Sequence, residues 1–259
     1  MTDASDAWRQ WHEDRVTTVS APHGPLALTG TYWLEDHPDG RLPGIPGTWT
    51  ADGDAVLLAA AGADGLTVDG RPFAGELRLA ADPGPASGAR VAYGERRLAV
   101  LVREGARGVR DFDPDARARR AFRGIDATPY DPRWSVPGRF VPYGTGRTVR
   151  VPNADGRERG LGLAGELVFP LAGRERVLRV GVEDDGSLWA VFADATSGSS
   201  SYRFRFLRPA APDAAGRTTV DFNRALLPPC AFADHFLCPF PPPGNTLDVA
   251  VEAGERTLL

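Results

Sequence analysis

Lysine is absent from this sequence, and all 30 of its basic residues are arginine. A Schiff-base lysine and a lysine base need an amine that can lose its proton, and a phosphate-binding loop needs a lysine that reaches the phosphates, so these chemistries are excluded. Isoleucine occurs only twice, at Ile45 and Ile125. The preference for arginine and the scarcity of isoleucine are typical of a GC-rich bacterial genome.

Long apolar runs are also missing, since none approaches the roughly 20 residues that a membrane-spanning helix needs. The first residues, MTDASDAWRQWHEDR, are polar and acidic where a signal peptide needs a basic start and an apolar stretch. The formal net charge is −4, which disfavours a phosphate-binding surface. We therefore expect a cytoplasmic protein without a nucleic-acid or membrane partner, and its oligomeric state stays open.

Short alternating segments such as RRLAVLVR and SLWAVFAD dominate the sequence after residue 25. Such alternation is typical of half-buried strands, and Asp52-Gly53, Asp64-Gly65 and Asp69-Gly70 favour hairpin turns because both positions tolerate positive φ. The 30 glycines and 23 prolines confine helix to short pieces. The first piece follows a cap at Ser5 or Asp6. The sequence predicts a mainly β fold after a short N-terminal helix.

Composition divides the chain into three parts. Residues 1–24 are expected to form the helix and a lead-in, residues 25–125 a β-sandwich, and residues 126–259 an antiparallel C-terminal β half that is barrel-like or a sandwich. The stretch 103–134 is rich in charge and proline and lacks strand periodicity, which predicts a linker between the halves.

The letters GLGLAG at residues 160–165 match the dinucleotide-binding fingerprint. That fingerprint works only between a strand and a helix whose N-terminus meets the pyrophosphate. Here a turn precedes it, and a strand containing Pro170 follows it. We therefore predict no organic cofactor.

The segment LLPPCAFADHFLCPFPPPGN, residues 226–245, holds the only two cysteines. A metal site at Cys230, His235 and Cys238 lacks a fourth ligand, and a disulfide is disfavoured in the cytoplasm. A nucleophilic thiolate needs a basic neighbour, and the sequence offers only His235. The favoured interpretation is a stiff proline strap that covers a sheet edge or a barrel mouth. Its apolar contacts are expected from Phe232, Phe236 and Phe240.

Successive side chains of a strand point to opposite faces of the sheet. This alternation predicts a polar face on each of three successive C-terminal segments, SLWAVFAD, YRFRFL and TTVDFN. If these faces converge, Asp194, Arg205 and Asp221 form an acid–base and anion-binding cluster with catalytic character. The alternative is a structural ion pair between Arg205 and Asp221, with Asp194 capping its own turn. Glu255 is expected to be a surface charge. The residues expected to bind a ligand beside the cluster are Thr196, Ser197, Tyr202 and Asn223.

The sequence VDFNRALLPPCAF, followed by CPFPPPGN and AVEAGER, closely resembles a bacterial family known as domain of unknown function 1684. The likeness begins at Trp8-Arg9 and GTYWL and continues through DPRW and RFVPY. The resemblance implies a first half like forkhead-associated β-sandwiches, which bind phosphothreonine peptides. Residues 36–47 lack the serine and asparagine-rich loop expected for such binding. Residues 202–205 read YRFR where relatives carry a glycine-containing Tyr-Gly-Ala-Gly-Arg, so any pocket there is reshaped.

The function therefore stays unknown, and whether the protein is an enzyme stays open. The favoured hypothesis is small-molecule binding in the C-terminal half, extending to a cofactor-independent enzyme that uses Asp194, Arg205 and Asp221. One alternative is a non-catalytic interaction module using the N-terminal sandwich. The other is a metal-binding protein using the cysteine segment.

Overall fold

The computed structural model describes residues 3–259, which form two compact units. The N-terminal unit is Thr17–Phe122, and the C-terminal unit combines Arg123–Leu259 with the described residues up to Val16. Antiparallel strands dominate, so the predicted mainly β fold with an N-terminal helix is confirmed. No helix within residues 3–259 is both long enough and apolar enough to cross a bilayer.

Helix α1 runs over Ala4–Ser20 and is longer than the short helix predicted. Asp3 precedes it and accepts a hydrogen bond from the Ser5 amide at 3.5 Å, so the two residues predicted as caps lie inside the first turn. Trp8 is buried, and its indole N–H donates to the backbone carbonyl of Asn223 at 2.7 Å. The first part of α1 is therefore anchored in the C-terminal unit.

The N-terminal unit has two sheets that share one hydrophobic core. Its strands are β1 (Leu28–Trp33), β2 (Thr48–Asp52), β3 (Ala55–Ala60), β4 (Leu66–Val68), β5 (Arg71–Pro72), β6 (Gly75–Leu79), β7 (Val91–Tyr93), β8 (Arg96–Arg103) and β9 (Ala106–Phe112). One sheet has the order β1-β9-β8-β7-β4-β5, and the other has the order β2-β3-β6. Trp49 and Leu58 from the second sheet meet Leu98 from the first in the core. The likeness to forkhead-associated sandwiches stays a prediction.

Two of the three predicted hairpin turns are present in this unit. Asp52-Gly53 joins β2 to β3, and Asp69-Gly70 joins β4 to β5 with both φ angles positive, at 51° and 75°. Asp64-Gly65 instead ends a short 3-10 helix between β3 and β4, which belong to different sheets. The hairpin prediction for that pair is wrong.

The predicted linker at 103–134 is also wrong, because it contains β9, which lies between β1 and β8 in the six-stranded sheet. This strand is rich in charge, but the buried Asp111 carboxylate forms an ion pair with Arg96 of the adjacent strand. A partner on a neighbouring strand makes a charged residue tolerable inside a sheet. Helix α2 (Arg117–Ala121) follows β9 and precedes the end of the unit.

The C-terminal unit contains a large antiparallel sheet. Its strands are β10 (Ile125–Ala127), β11 (Ser135–Pro152), β12 (Glu158–Leu171), β13 (Arg174–Val182), β14 (Leu188–Phe192), β15 (Arg205–Leu207), β16 (Arg217–Asp221) and β17 (Glu255–Leu258). The order of the sheet is β15-β14-β13-β12-β11-β16, and β10 pairs separately with β17. Strands β15 and β16 are thus the two edge strands.

The large sheet carries a separate apolar layer on each face, and β14 contributes to both layers. Leu188, Ala190 and Phe192 pack in the first layer, where the Phe192 ring lies 5.8 Å from Phe222. Val191 packs in the second layer, with the two cysteines. The alternation expected for this strand from its sequence is therefore present.

The proline-rich segment 226–245 covers the second layer. Its backbone pairs with the sheet at isolated points, where Leu226 exchanges hydrogen bonds with Phe206 and the Ala154 amide donates to the carbonyl of Cys238 at 2.9 Å. Continuous pairing is prevented because proline has no amide hydrogen. Phe236 and Phe240 of the segment pack on the layer, and Phe232 is buried beneath the Arg15 guanidinium. We call residues 226–245 the strap.

Candidate functional site

Asp194 and Arg205 form an ion pair that is completely enclosed. The Arg205 Nη2 atom lies 2.7 Å from Asp194 Oδ2, and both side chains are 0% exposed. The other carboxylate oxygen, Oδ1, accepts hydrogen bonds from the Thr196 amide at 2.8 Å and from the Val251 amide at 3.2 Å. Each charge is therefore balanced inside the protein.

The same arginine connects the sheet to the end of the chain. Its guanidinium donates to the backbone carbonyls of Ala253, Glu255 and Val251, the last at 2.8 Å. Burial opposes ionisation of Asp194, but the charge of Arg205 and the hydrogen bonds from Thr196 and Arg205 together outweigh it and lower the pKa of that carboxyl from 3.8. This arrangement stabilises the fold, and an enclosed pair offers no surface to a substrate.

Asp221 does not join this pair, contrary to the predicted convergence. It ends the edge strand β16, whereas Arg205 begins β15 at the other edge of the sheet. Val220 and Phe222 face the first apolar layer, so Asp221 points the other way. Its carboxylate accepts from the amide and side chain of Asn223, at 3.1 and 2.9 Å. The alternative structural pair between Arg205 and Asp221 is absent for the same reason.

The predicted ligand-binding residues near Asp194 and Asp221 mainly bond within the protein. Thr196 Oγ1 donates to Asp194 Oδ1 at 2.7 Å, and Ser197 Oγ accepts the Asp194 amide at 3.0 Å. Asn223 accepts the Asp131 amide and donates to its carbonyl, both at 3.0 Å. These bonds shape loops, and a ligand-binding role for these residues stays a prediction.

Glu255 is the clearest correction to the expected surface charges, because it is 0% exposed. Its carboxylate accepts from Arg15 Nε at 3.1 Å and from the Leu227 amide at 2.6 Å. Arg15 comes from α1, 240 positions earlier. No local sequence pattern could have indicated this contact.

The two cysteines of the strap come together where it packs on the second layer. We call this place the thiol site, and it comprises Tyr202, Arg203, Cys230, Cys238 and Phe240. The Cys230 amide donates to Cys238 Sγ at 3.2 Å, and no disulfide joins the two cysteines. The Tyr202 hydroxyl lies 3.1 Å from the Cys230 carbonyl and 3.7 Å from its sulfur. Each cysteine residue is 5% exposed. The two sulfurs therefore share one small, largely covered space.

Local sequence explains how the thiol site is held. The strap enters a short 3-10 helix at Pro229–Ala231, and proline at its start fixes the backbone that carries Cys230. Cys238 lies where the strap pairs with Ala154, which fixes the second thiol. The predicted rigid strap thus serves to bring the two thiols together.

Arg203 supplies the positive charge of the thiol site. Its guanidinium lies 4.6 Å from the Phe240 ring centre and 5.6 Å from that of Tyr202. The neighbouring Cys238 thiol lowers the pKa of Cys230 to about 7 by hydrogen bonding, and Tyr202 and Arg203 act in the same direction against burial. Burial, followed by Cys230, raises the pKa of Tyr202 to about 12. At neutral pH, Cys230 is about half ionised while Tyr202 keeps its proton.

Sequence reasoning missed Arg203 as the partner of the thiol. His235 was the only basic neighbour expected, but it is exposed on the strap. Arg203 is 27 residues before Cys230 and reaches it only because the strap folds back over the sheet.

The metal interpretation of the strap is not supported by the geometry. Within residues 3–259, no three His, Cys, Asp or Glu side chains are grouped so that they could hold a metal ion. An open groove of about 610 Å³ lies elsewhere, around Arg139, Phe169 and Arg174. Asp194 and Asp221 do not line it.

Comparisons with other proteins identify a family but no activity. The family model described as a protein of unknown function (DUF1684) matches residues 120–256. The solution NMR structure of the uncharacterized protein from gene locus rrnAC0354 of Haloarcula marismortui is 34% identical over 54% of this chain and 79% of that chain, with a TM-score of 0.45. None of the curated proteins matches. Function must therefore be sought in the geometry of the chain itself.

Proposed function

The chain belongs to the DUF1684 family of proteins of unknown function, and we propose that its thiol site performs thiol–disulfide exchange. Cys230 is the attacking thiolate, and Cys238 is the thiol that resolves the mixed disulfide. The observation that supports this proposal is the contact between the two cysteines, whose Cys230 N to Cys238 Sγ distance is 3.2 Å.

The reaction proceeds in two displacements. The Cys230 thiolate attacks one sulfur of a small disulfide, a new S–S bond forms as the substrate S–S bond breaks, and the leaving thiolate takes a proton from solvent. Cys238 then gives its proton to solvent and attacks Cys230, which releases the second substrate thiolate. Two electrons pass from the cysteines to the substrate. A second dithiol returns the oxidised chain to its starting state by the reverse exchange.

The surroundings of Cys230 suit the attacking role. Exchange requires a thiolate, and an arginine and a hydroxyl donor both favour the ionised sulfur. At pH 7, a thiol of pKa 7 has about 50 times more thiolate than one of pKa 9, while its intrinsic nucleophilicity is about six- to tenfold lower. The net gain in rate is therefore about five- to eightfold.

This proposal retains small-molecule binding in the C-terminal half and replaces the acid–base cluster predicted to act there. Asp194 and Arg205 are enclosed, and Asp221 lies on another strand. Tyr202 is the member of the predicted ligand-binding set that reaches the thiol site.

Titration with excess 2,2′-dithiodipyridine tests the proposal. We expect the native chain to release two thiopyridones and to end with a mass lower by two hydrogens, because the second thiol displaces the first adduct. Cys238→Ser should release one thiopyridone and keep the pyridylthio group on Cys230. Cys230→Ser is the matched control and should react more slowly at pH 7, because it lacks the more acidic thiol.

The proposal fails if the native chain retains two pyridylthio groups. That result would mean that the thiols react separately and cannot reach each other. A titration in denaturant controls for the total thiol content.

A further inference from the structure

Arg203 is exposed and has no carboxylate partner. No Asp or Glu oxygen within residues 3–259 forms an ion pair with it, and the groups that raise its pKa are Tyr202 and Cys230. Arg205, two residues later, is 0% exposed and bound to Asp194. Arg203 is thus the cation of this segment that remains available to an external anion.

Residue 203 lies outside the regular strands. Arg203 lies in a bend just before β15, and its guanidinium stacks on rings of the second layer. A guanidinium that lies over an aromatic face can still donate from its N–H edges, and those edges match a carboxylate in a planar, two-bonded geometry. The site therefore presents an oriented anion-binding group beside apolar rings.

The exchange reaction removes a negative charge next to Arg203. Before reaction, Cys230 is one of the groups that raise the pKa of Arg203, as a thiolate beside a guanidinium does. Once Cys230 forms a mixed disulfide, that negative charge disappears. An acidic group on the bound half of the substrate would restore a partner for the guanidinium and hold the intermediate while Cys238 attacks.

The remaining surface of the thiol site is apolar. Phe236 and Phe240 are half-buried beside Tyr202, and each cysteine residue is only 5% exposed. A flat or narrow group reaches such a largely covered thiol more easily than a folded protein surface does. An apolar or aromatic body is therefore favoured next to the reacting sulfur.

From these observations, and resting on the exchange reaction proposed above, we infer that the substrate is a low-molecular-weight disulfide with an acidic group beside an apolar body. Arg203 recognises the acid. Arg203 sets specificity because it contacts the bound substrate. The two cysteines carry out the exchange reaction.

Two aromatic disulfides of similar size test this inference. 5,5′-Dithiobis(2-nitrobenzoate) carries a carboxylate on each ring, and 2,2′-dithiodipyridine is uncharged at neutral pH. The ratio of their second-order rate constants is measured for the native chain and for Arg203→Gln. Any change in Cys230 ionisation affects both rates, so their ratio isolates recognition of the acid.

We expect Arg203→Gln to lower the ratio of acidic to neutral probe by roughly fivefold, the scale of one charge-assisted contact near solvent. The rate with the acidic probe should fall with added salt in the native chain and much less in the variant. Arg203→Lys should keep the salt effect, because it keeps the charge. Arg208→Gln removes a nearby exposed charge that faces Glu183 and should leave the ratio unchanged.

An unchanged ratio in Arg203→Gln would overturn the inference about the acid. The exchange proposal would survive that result if 2,2′-dithiodipyridine still produced the internal disulfide. A peptide disulfide flanked by acidic residues that reacts faster than both small probes would also overturn the inference, since it would indicate a polypeptide substrate. Failure of every probe to produce the internal disulfide would remove both proposals together.

Discussion

Arg203 and Arg205 are two residues apart in the sequence, but the first is exposed and the second is buried. Arg205 is enclosed with Asp194 and uses its donors on backbone carbonyls near the end of the chain. Arg203 is exposed, lies on aromatic rings and faces a thiol. A buried charge that is paired with its counterion holds structure, whereas a charge without a carboxylate partner beside a reactive group is available for chemistry.

The largest expected effect in this comparison comes from Asp194→Ala. The change leaves the Arg205 charge buried without its counterion, which should lower the free energy of unfolding by about 3–5 kcal/mol. Urea unfolding followed by circular dichroism measures this loss. The matched control is Arg217→Ala, which removes the exposed ion pair with Asp213 and should leave stability nearly unchanged. Equal effects of the two changes would contradict a structural role for the buried pair.

The same pair predicts a direction for the acid dependence of stability. The pKa of Asp194 is lower in the folded chain than its ordinary 3.8, so its contribution is present above pH 3.8 and is lost as the pH falls through the lower folded value. Stability below pH 3.8 should therefore fall more steeply in the native chain than in Asp194→Asn. If the free energy of unfolding falls equally steeply with decreasing pH in both chains, the fold does not favour the charged form of this carboxyl.

A smaller effect is expected from the ionisation of Cys230. The rate of alkylation by iodoacetamide should rise with pH around a midpoint near 7, where an ordinary thiol has its midpoint near 9. In Arg203→Gln the midpoint should move upward, because the thiolate loses a favourable charge. Mass spectrometry of the labelled peptide assigns the rate to Cys230. A midpoint near 9 in the native chain would remove the electrostatic support for the attacking role.

The smallest expected effect comes from Tyr202→Phe. This change removes the hydroxyl near the Cys230 carbonyl and sulfur but keeps the ring. We expect about 1 kcal/mol lower stability and a small upward shift in the alkylation midpoint. Tyr143→Phe, which removes a hydroxyl near Glu166 at 3.4 Å, is the matched control and should leave the midpoint unchanged. A shift as large as that of Arg203→Gln would mean that the hydroxyl favours the thiolate as strongly as the arginine does.

Several features were readable from the sequence because they depend on near neighbours. The alternation in SLWAVFAD placed Phe192 in one apolar layer and Val191 in the other. Two Asp-Gly pairs marked real hairpins, and the third failed because the flanking strands joined different sheets. The linker prediction failed because β9 satisfies its charges through neighbouring strands.

The candidate site was less accessible to sequence reasoning. The alternation of side chains along each strand could not show that the strands of Arg205 and Asp221 form opposite edges of one sheet, or that Arg205 is buried over Phe192. Arg203 was overlooked because its thiol partner lies 27 positions away and approaches through a strap with little regular pairing. Glu255 was misjudged because its partner Arg15 lies near the other end of the chain.

By itself, the sequence determined the period of the strands, many of the turns, the absence of lysine chemistry and the stiffness of the proline segment. These properties follow from the covalent chain and from the contacts of adjacent residues. Only the tertiary structure decided which charges are enclosed and which thiol faces an arginine. Burial and ion pairing depend on residues that the fold brings together from distant parts of the chain. A local sequence pattern does not show which distant residues will be in contact.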